Sequence, residues 1–307
     1  MLSRIAEALF WIGRYLERAD DTARILDVHL HALIEDPYAS EPDACSGLLQ
    51  VMGLPVPDQG VDRDLVLGAL AWDAVSPTAI VGAVGAAREN ARRAREIVSS
   101  DLWEGLNTTW LGLPEARERA ASPHLFFRWV RERTALVAGI ADASMSRDDA
   151  WRFLVLGRSL ERADITARLV AMRAVPGGAG SWRTILRSCG AYESYVRTYR
   201  GLASDEAAAE FLLLDRLFPR SVLHALMRAE ECLGDLTPAQ ERAGVSDLGR
   251  RELGRARAAL EFRQVDEVLA DLPAQMQRVQ HACAATSAAV SRRFFPEVAS
   301  TSWTEEV

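Results

Sequence analysis

The chain carries one twelve-residue phrase twice: GRYLERADDTAR from Gly13 to Arg24, and GRSLERADITAR from Gly157 to Arg168. Ten of the twelve positions match, at a constant offset of 144 residues. A long phrase recurring at about half the chain length points to two related halves. The shared letters are mostly charged, whereas packing alone is indifferent to which charges stand on a surface. The repeat therefore marks where binding or chemistry resides, without spelling out a reaction.

Around the first copy, Ile5, Leu9, Ile12, Leu16, Ala19, Ala23, Leu26 and Leu30 recur at the 3/4 spacing of an amphipathic helix. On an ideal helix with Gly13 at zero, Glu17 falls at about 40°, Asp20 at about 340° and Arg24 at about 20°. The apolar arc spans roughly 220° to 300°, so the charged stripe borders the buried face. In the second copy Glu161, Asp164 and Arg168 hold the same relation to Leu160, Ala163, Ala167 and Val170. The glycine heading each stripe allows another backbone or a ligand to come close.

Charges at the edge of a core need partners, because an unpaired buried ion costs several kcal/mol. Glu17 and Asp20 are like-charged neighbours, and Arg24 alone cannot satisfy both. If the copies pack around a pseudo-twofold, Glu17, Asp20, Glu161 and Asp164 meet Arg14, Arg18, Arg24, Arg158, Arg162 and Arg168. Such crowding pulls carboxylate pKa values apart, the condition for an acid and a base in one pocket. The plainer reading is a network that fixes a helix crossing, with Arg14–Glu17 and Asp20–Arg24 as intrahelical pairs.

Helical periodicity runs through nearly the whole chain, with no period-2 strand run. Helices are expected over about 3–35, 61–71, 77–99, 101–113, 114–122, 123–145 and 147–174. Further ones follow over 181–199, 206–214, 219–233, 248–262 and 265–295. The acidic, proline- and glycine-bearing stretch from Pro37 to Asp62 reads as a loop. The fold expected is an all-α multi-helix bundle of one domain, 1–296, with halves 1–145 and 146–296. Residues 297–307 read as a tail.

Two weaker constellations stand apart from the repeat. Asn90 shares an otherwise apolar helix face with Ala83 and Ala86, so it pins a helix or meets a ligand. Arg88 and Arg92 line the adjoining stripe. In Phe218-Pro219-Arg220-Ser221 a proline opens a helix whose first turn carries Arg220 and Ser221, a place where free N–H groups receive anions.

Composition removes several chemistries. All 36 basic residues are arginine, so no lysine can form a Schiff base or act as a general base. A net charge of −7 disfavours nonspecific nucleic-acid binding. No apolar run approaches membrane length. Glu7 inside the first apolar run argues against a secretory leader. Cys45, Cys189, Cys232 and Cys283 lie far apart without CxxC spacing, which fits reduced thiols in the cytoplasm. With no Glu-x-x-His pair, no HExxH and no glycine-rich phosphate loop, neither a metal nor another cofactor is expected.

The segments LSRIAEALFWIGRYLERADDTAR, ARENARRAREIVSSDLWEGLN and MSRDDAWRFLVLGRSLERADITAR, with WRTILRSCGAYESYVRTY and AEFLLLDRLFPRS, together resemble the alpha-E family. That bacterial all-helical domain is named for its Glu-Arg signature. One departure is that Val170-Ala171 stands where Leu26-Asp27 stands in the first copy. The resemblance implies a circularly permuted ATP-grasp ligase as partner, and often a transglutaminase-like protease.

Such ligases join carboxylates to amines, so the implied role is a partner enzyme acting on a small peptide or amino-acid amide conjugate. In that reading the arginines hold the carboxylate of the substrate. Glu17 or Glu161, with Asp20 and Asp164 beside them, serves as general acid or base. The alternative is a non-catalytic helical scaffold, or a subunit that presents substrate to the ligase.

Overall fold

The computed structural model describes residues 2–35, 40–58, 60–174, 181–200, 204–238 and 244–296. Among them are fourteen α-helices and no strand, an all-α multi-helix fold. The first half holds α1 (Ser3–Glu35), α2 (Glu41–Val51), α3 (Arg63–Leu67), α4 (Ile80–Arg93), α5 (Ser100–Arg119) and α6 (Pro123–Ser144). The second opens with α7 (Asp149–Ala171), α8 (Trp182–Ser188), α9 (Tyr192–Tyr199) and α10 (Asp205–Leu214). It closes with α11 (Val222–Leu236), α12 (Leu248–Glu261), α13 (Val265–Ala270) and α14 (Leu272–Phe294).

The two repeat helices, α1 and α7, form the axis of the molecule. α4 and α6 pack on α1, while α11 and α14 pack on α7. One contiguous apolar cluster runs from Ile5 to Val290 through both halves. Among the described residues no helix is long and apolar enough to cross a membrane.

Several expected boundaries move, each for a local reason. α2 lies inside the stretch read as a loop: Ser40 caps it by accepting from the Asp43 N–H at 3.4 Å. Its proline and acids sit in the first turn, where a missing N–H costs nothing and negative charge is favoured. Cys45, Leu48, Leu49 and Val51 then bury one face.

Pro114 does not restart a helix but lies within α5. The run expected over 181–199 divides at Gly190, whose φ of +61° needs no Cβ. The run over 265–295 divides at Asp271. α11 starts at Val222 and not at Pro219, with Ser221 as its cap. Pro176 to Gly180 and the tail 297–307 lie outside the described residues.

At the centre the paired glycines do what their positions suggested. A carbon added to Gly13 falls 2.0 Å from the Leu154 carbonyl oxygen, and one added to Gly157 falls 2.0 Å from that of Phe10. Leu154 and Phe10 are themselves related by the 144-residue offset, so the contact is reciprocal. Beyond it Arg18 meets Glu161 and Arg162 meets Glu17. Residues C-terminal to the contact in one helix meet residues C-terminal to it in the other. The two helices therefore run in the same direction about a pseudo-twofold.

Gly13→Ala and Gly157→Ala should each cost roughly 3 kcal/mol or more, because backbone must part to admit a methyl group. Gly139→Ala in α6, where an added carbon meets nothing within 4 Å, should instead gain roughly 0.5–1 kcal/mol of helix stability. Urea unfolding of the three variants measures the contrast.

Candidate functional site

The repeat delivers its charges crosswise. Arg18 donates through Nε and Nη2 to Glu161 at 2.6 and 3.0 Å, and Arg14 Nε donates to the same carboxylate at 2.5 Å. In return Arg162 Nε donates to Glu17 at 2.6 Å. Each Glu-Arg dipeptide thus gives its arginine to the glutamate of the other. The two acids of the next turn stay within their own helices, Asp20 with Arg24 at 2.9 Å and Asp164 with Arg168 at 2.8 Å.

Symmetry ends at Glu17. The counterpart of Arg14 is Arg158, yet Arg158 makes no hydrogen bond to Glu17 among the described residues. Its ion pair is Asp142, at 3.7 Å. Arg220, from the turn before α11, takes the vacant role. Its Nη2 donates to Glu17 at 2.9 Å and to Asp20 at 2.5 Å, and its Nε lies 3.4 Å from Asp21. Thr134 of α6 donates to the other Asp20 oxygen at 3.0 Å.

Arg158 is left bordering a cavity of about 590 Å³ between α1, α6, α7 and α11. Five arginines line it (Arg24, Arg158, Arg162, Arg220 and Arg228), against Glu17, Asp20 and Asp142. Arg228 is paired with Glu231 outside the lining, and the cavity still keeps an excess of positive charge, although the whole chain is acidic. His224 lines it too, with Nδ1 2.8 Å from the Arg216 carbonyl oxygen. A carbonyl can only accept, so Nδ1 carries a proton, and in the neutral ring Nε2 holds the lone pair.

Electrostatics separates the carboxylates. Burial alone would raise Glu17, but the charges of Arg162 and Arg220 outweigh it and hold its pKa at about 2. Burial is likewise outweighed at Glu161, by Arg14 and Arg18, and the pKa falls. Asp164 moves up, since burial there outweighs Arg168. Asp21 is pushed well above the usual carboxylate range by burial and then by repulsion from ionised Glu17. Its Oδ2 and the neighbouring Thr22 hydroxyl are buried without a hydrogen-bond partner among the described residues.

Glu17 and Glu161 are thus ionised at neutral pH and saturated with arginine. That geometry favours holding guanidinium groups in place over the acid or base role their sequence suggested. Glu17, Asp20 and Asp21 also bring oxygens within 4.8 Å of one another, as a cation site would. The Arg220 guanidinium already stands where such a cation would sit.

The other candidates fall elsewhere. Arg14, Arg18, Asp164 and Arg168 serve the Glu161 side of the crossing and do not line the cavity. Arg88 donates to Asn107 at 2.8 Å and lies over Trp103. Asn90 donates to the Ala86 carbonyl of its own helix at 2.8 Å, and Arg92 pairs with Glu89 on the exposed surface. Ser221 is buried as the cap of α11, accepting from the His224 N–H at 3.1 Å. Asp142, His224 and Arg228 carried no periodic or motif signal. Asp21 did carry one: it is the acid that stands where the second copy has apolar Ile165.

The model of the Alpha-E family, described as a predicted alpha-helical domain with a conserved ER motif, matches residues 1–295. Uncharacterized proteins of Mycobacterium bovis and of Mycobacterium tuberculosis strain CDC 1551 are each 28% identical to the chain over 269 residues. A third, from strain H37Rv, is 27% identical over the same length. In each case the match covers 76% of this chain and 30% of the relative, so the chain spans under a third of those proteins. No solved structure matches.

Opposite pH signatures follow for Glu17 and Asp21. With its pKa lowered, Glu17 contributes stability above the ordinary carboxylate range and loses it as pH falls toward about 2. Glu17→Gln should cost about 3–5 kcal/mol at neutral pH by stranding buried arginines, and should flatten the acid limb of the stability curve. With its pKa raised, Asp21 favours the folded state only while protonated, and its contribution is lost as pH rises. Asp21→Asn should therefore grow more favourable relative to wild type from acid to neutral pH. Urea unfolding across that range reads both signs.

Proposed function

We propose, from the premise that this chain belongs to the Alpha-E family, that it binds the carboxylate of a small peptide or amino-acid amide conjugate in the Arg158 cavity. It works on that ligand as the partner of a circularly permuted ATP-grasp ligase. The observation that carries the reading is the release of Arg158 from the repeat. Arg220 has taken the position at Glu17 that Arg158 would fill by symmetry, and the cavity keeps an excess of guanidinium. A carboxylate matches that fork bidentately.

In this reading Glu17 and Glu161 position the arginines and do not exchange protons. Proton transfer falls to His224, whose Nδ1 is fixed by the Arg216 carbonyl. The saturation of both glutamates also favours a second reading, a non-catalytic subunit that presents the ligand to the ligase. The two differ in whether His224 matters for turnover or not at all. We place this work in the cytoplasm, where ATP is at hand and the four buried free thiols stay reduced.

Dipeptides with a free C-terminal carboxylate should stabilise the wild-type chain in a thermal-shift titration. Arg158→Gln should weaken that effect at least about tenfold, the worth of one charge-assisted pair. Surface Arg92→Gln should leave it unchanged. If Arg158→Gln binds as well as wild type, the cavity is not the site. With the ligase and ATP added, loss of turnover in His224→Gln at unaltered binding selects the enzyme. Unaltered turnover selects the presenting subunit.

A further inference from the structure

Asp27 is the second acid that the repeat does not share, its counterpart being Ala171. It stands on α1 three residues beyond Arg24, the last α1 residue lining the Arg158 cavity, and it faces the same helix, α6. There Asp27 Oδ1 lies 2.6 Å from His124 Nδ1, and Oδ2 accepts from Arg131 Nη1 at 3.4 Å. These groups line a separate cavity of about 570 Å³, closed on its third side by Arg183, Thr184 and Arg187 of α8.

We propose that this second cavity binds a compact dianion of the phosphate-ester class, held by Arg131, Arg183 and Arg187 with His124 beside them. Charge is the first argument. Arg131, Arg183 and Arg187 face Asp27 and Glu35, while a fourth lining arginine, Arg128, is paired with Glu132 at 3.7 Å, so the lining stays net positive. A phosphate ester presents three acceptor oxygens to the three remaining guanidinium groups, whereas a carboxylate presents two.

Donor availability is the second argument. Arg183 and Arg187 make no ion pair with a described residue; both instead lie over the Tyr192 ring, at 5.6 and 5.4 Å. Stacking on a ring fixes a guanidinium plane and leaves its edge N–H groups to donate. Arg131 Nε is buried and unpartnered among the described residues.

The imidazole supplies the third. A carboxylate only accepts, so Asp27 keeps the His124 proton on Nδ1 and leaves Nε2 for the cavity. The His31 ring meets His124 edge-on at 5.1 Å, which places a second imidazole at the mouth. None of this depends on what the Arg158 cavity holds.

The five histidines allow each cavity to be read separately. Inorganic phosphate is titrated into the full chain at constant ionic strength while the imidazole carbon–proton signals are followed by NMR. His31 and His124 report the second cavity and His224 the first, while buried His29 and exposed His281 serve as controls. The expected result is one saturable curve shared by His31 and His124, with His29 and His281 still. Acetate should not reproduce it. Arg183→Gln combined with Arg187→Gln should weaken it about tenfold, the unmoved His29 signal showing that the fold is intact. The proposal is overturned if phosphate moves His224 alone, if acetate works equally well, or if the double variant with an intact His29 signal keeps the wild-type curve.

Discussion

Four ions, Glu17 with Arg162 and Glu161 with Arg18, sit where two helices touch backbone to backbone. Only glycine permits that approach, and only the approach lets each arginine reach the other helix's carboxylate. Taking a carboxylate from water costs several kcal/mol, which a single guanidinium in poor geometry does not recover. Here each glutamate receives two arginines, and the balance falls to the ionised form, with the pKa of both lowered by their arginine partners against the effect of burial. The contact and the ion exchange therefore depend on each other. α4, α6, α11 and α14 pack around the pair once it is made.

A perfect twofold would have spent every arginine of the repeat inside the crossing. Two departures from it bear on the cavities: Asp21 and Asp27 are acids of the first copy where the second has Ile165 and Ala171. Glu17 and Asp20 draw Arg220 across from the α11 turn, and its Nε comes to 3.4 Å from Asp21. That substitution of one guanidinium for another frees Arg158 and opens a basic cavity at one side. Asp27 orients His124 in the second cavity. The Glu161 side, which keeps the repeat's own arrangement, is filled by Arg14 and Arg18. The repeat supplies the frame, and the residues the two copies do not share border the two cavities.

Much of this was legible before any coordinates. The 3/4 spacing from Ile5 to Leu30 fixed α1, and the wheel put Glu17 and Asp20 beside the apolar arc, where both are buried. The glycine heading each copy announced a close approach. Arg220 was visible only as part of a helix start, since nothing local links it to Glu17 some 200 residues earlier. The direction of the glutamate pKa shifts was equally hidden. Crowded like charges predict that values separate, but which acid falls and which rises depends on where each guanidinium lands. α2 escaped because its proline and acids resemble a loop until one notices that all three occupy a first turn.

The absence of lysine constrains how such a molecule can let go of a ligand. An amine in a cavity can lose its proton and release an anion, whereas a guanidinium stays charged throughout the physiological range. Beside the first cavity the acid that departs furthest from ordinary carboxylate behaviour is Asp21, whose carboxyl is raised by burial and by Glu17. Arg220 links Asp21 to the cavity wall, because the same guanidinium faces Glu17, Asp20 and Asp21. On the proposed reading, an anion entering beside Arg220 would take a share of its charge and favour proton uptake at Asp21. Loss of that proton draws the guanidinium back toward Asp21. Under the proposed function, binding and protonation would be linked in this way with no lysine involved.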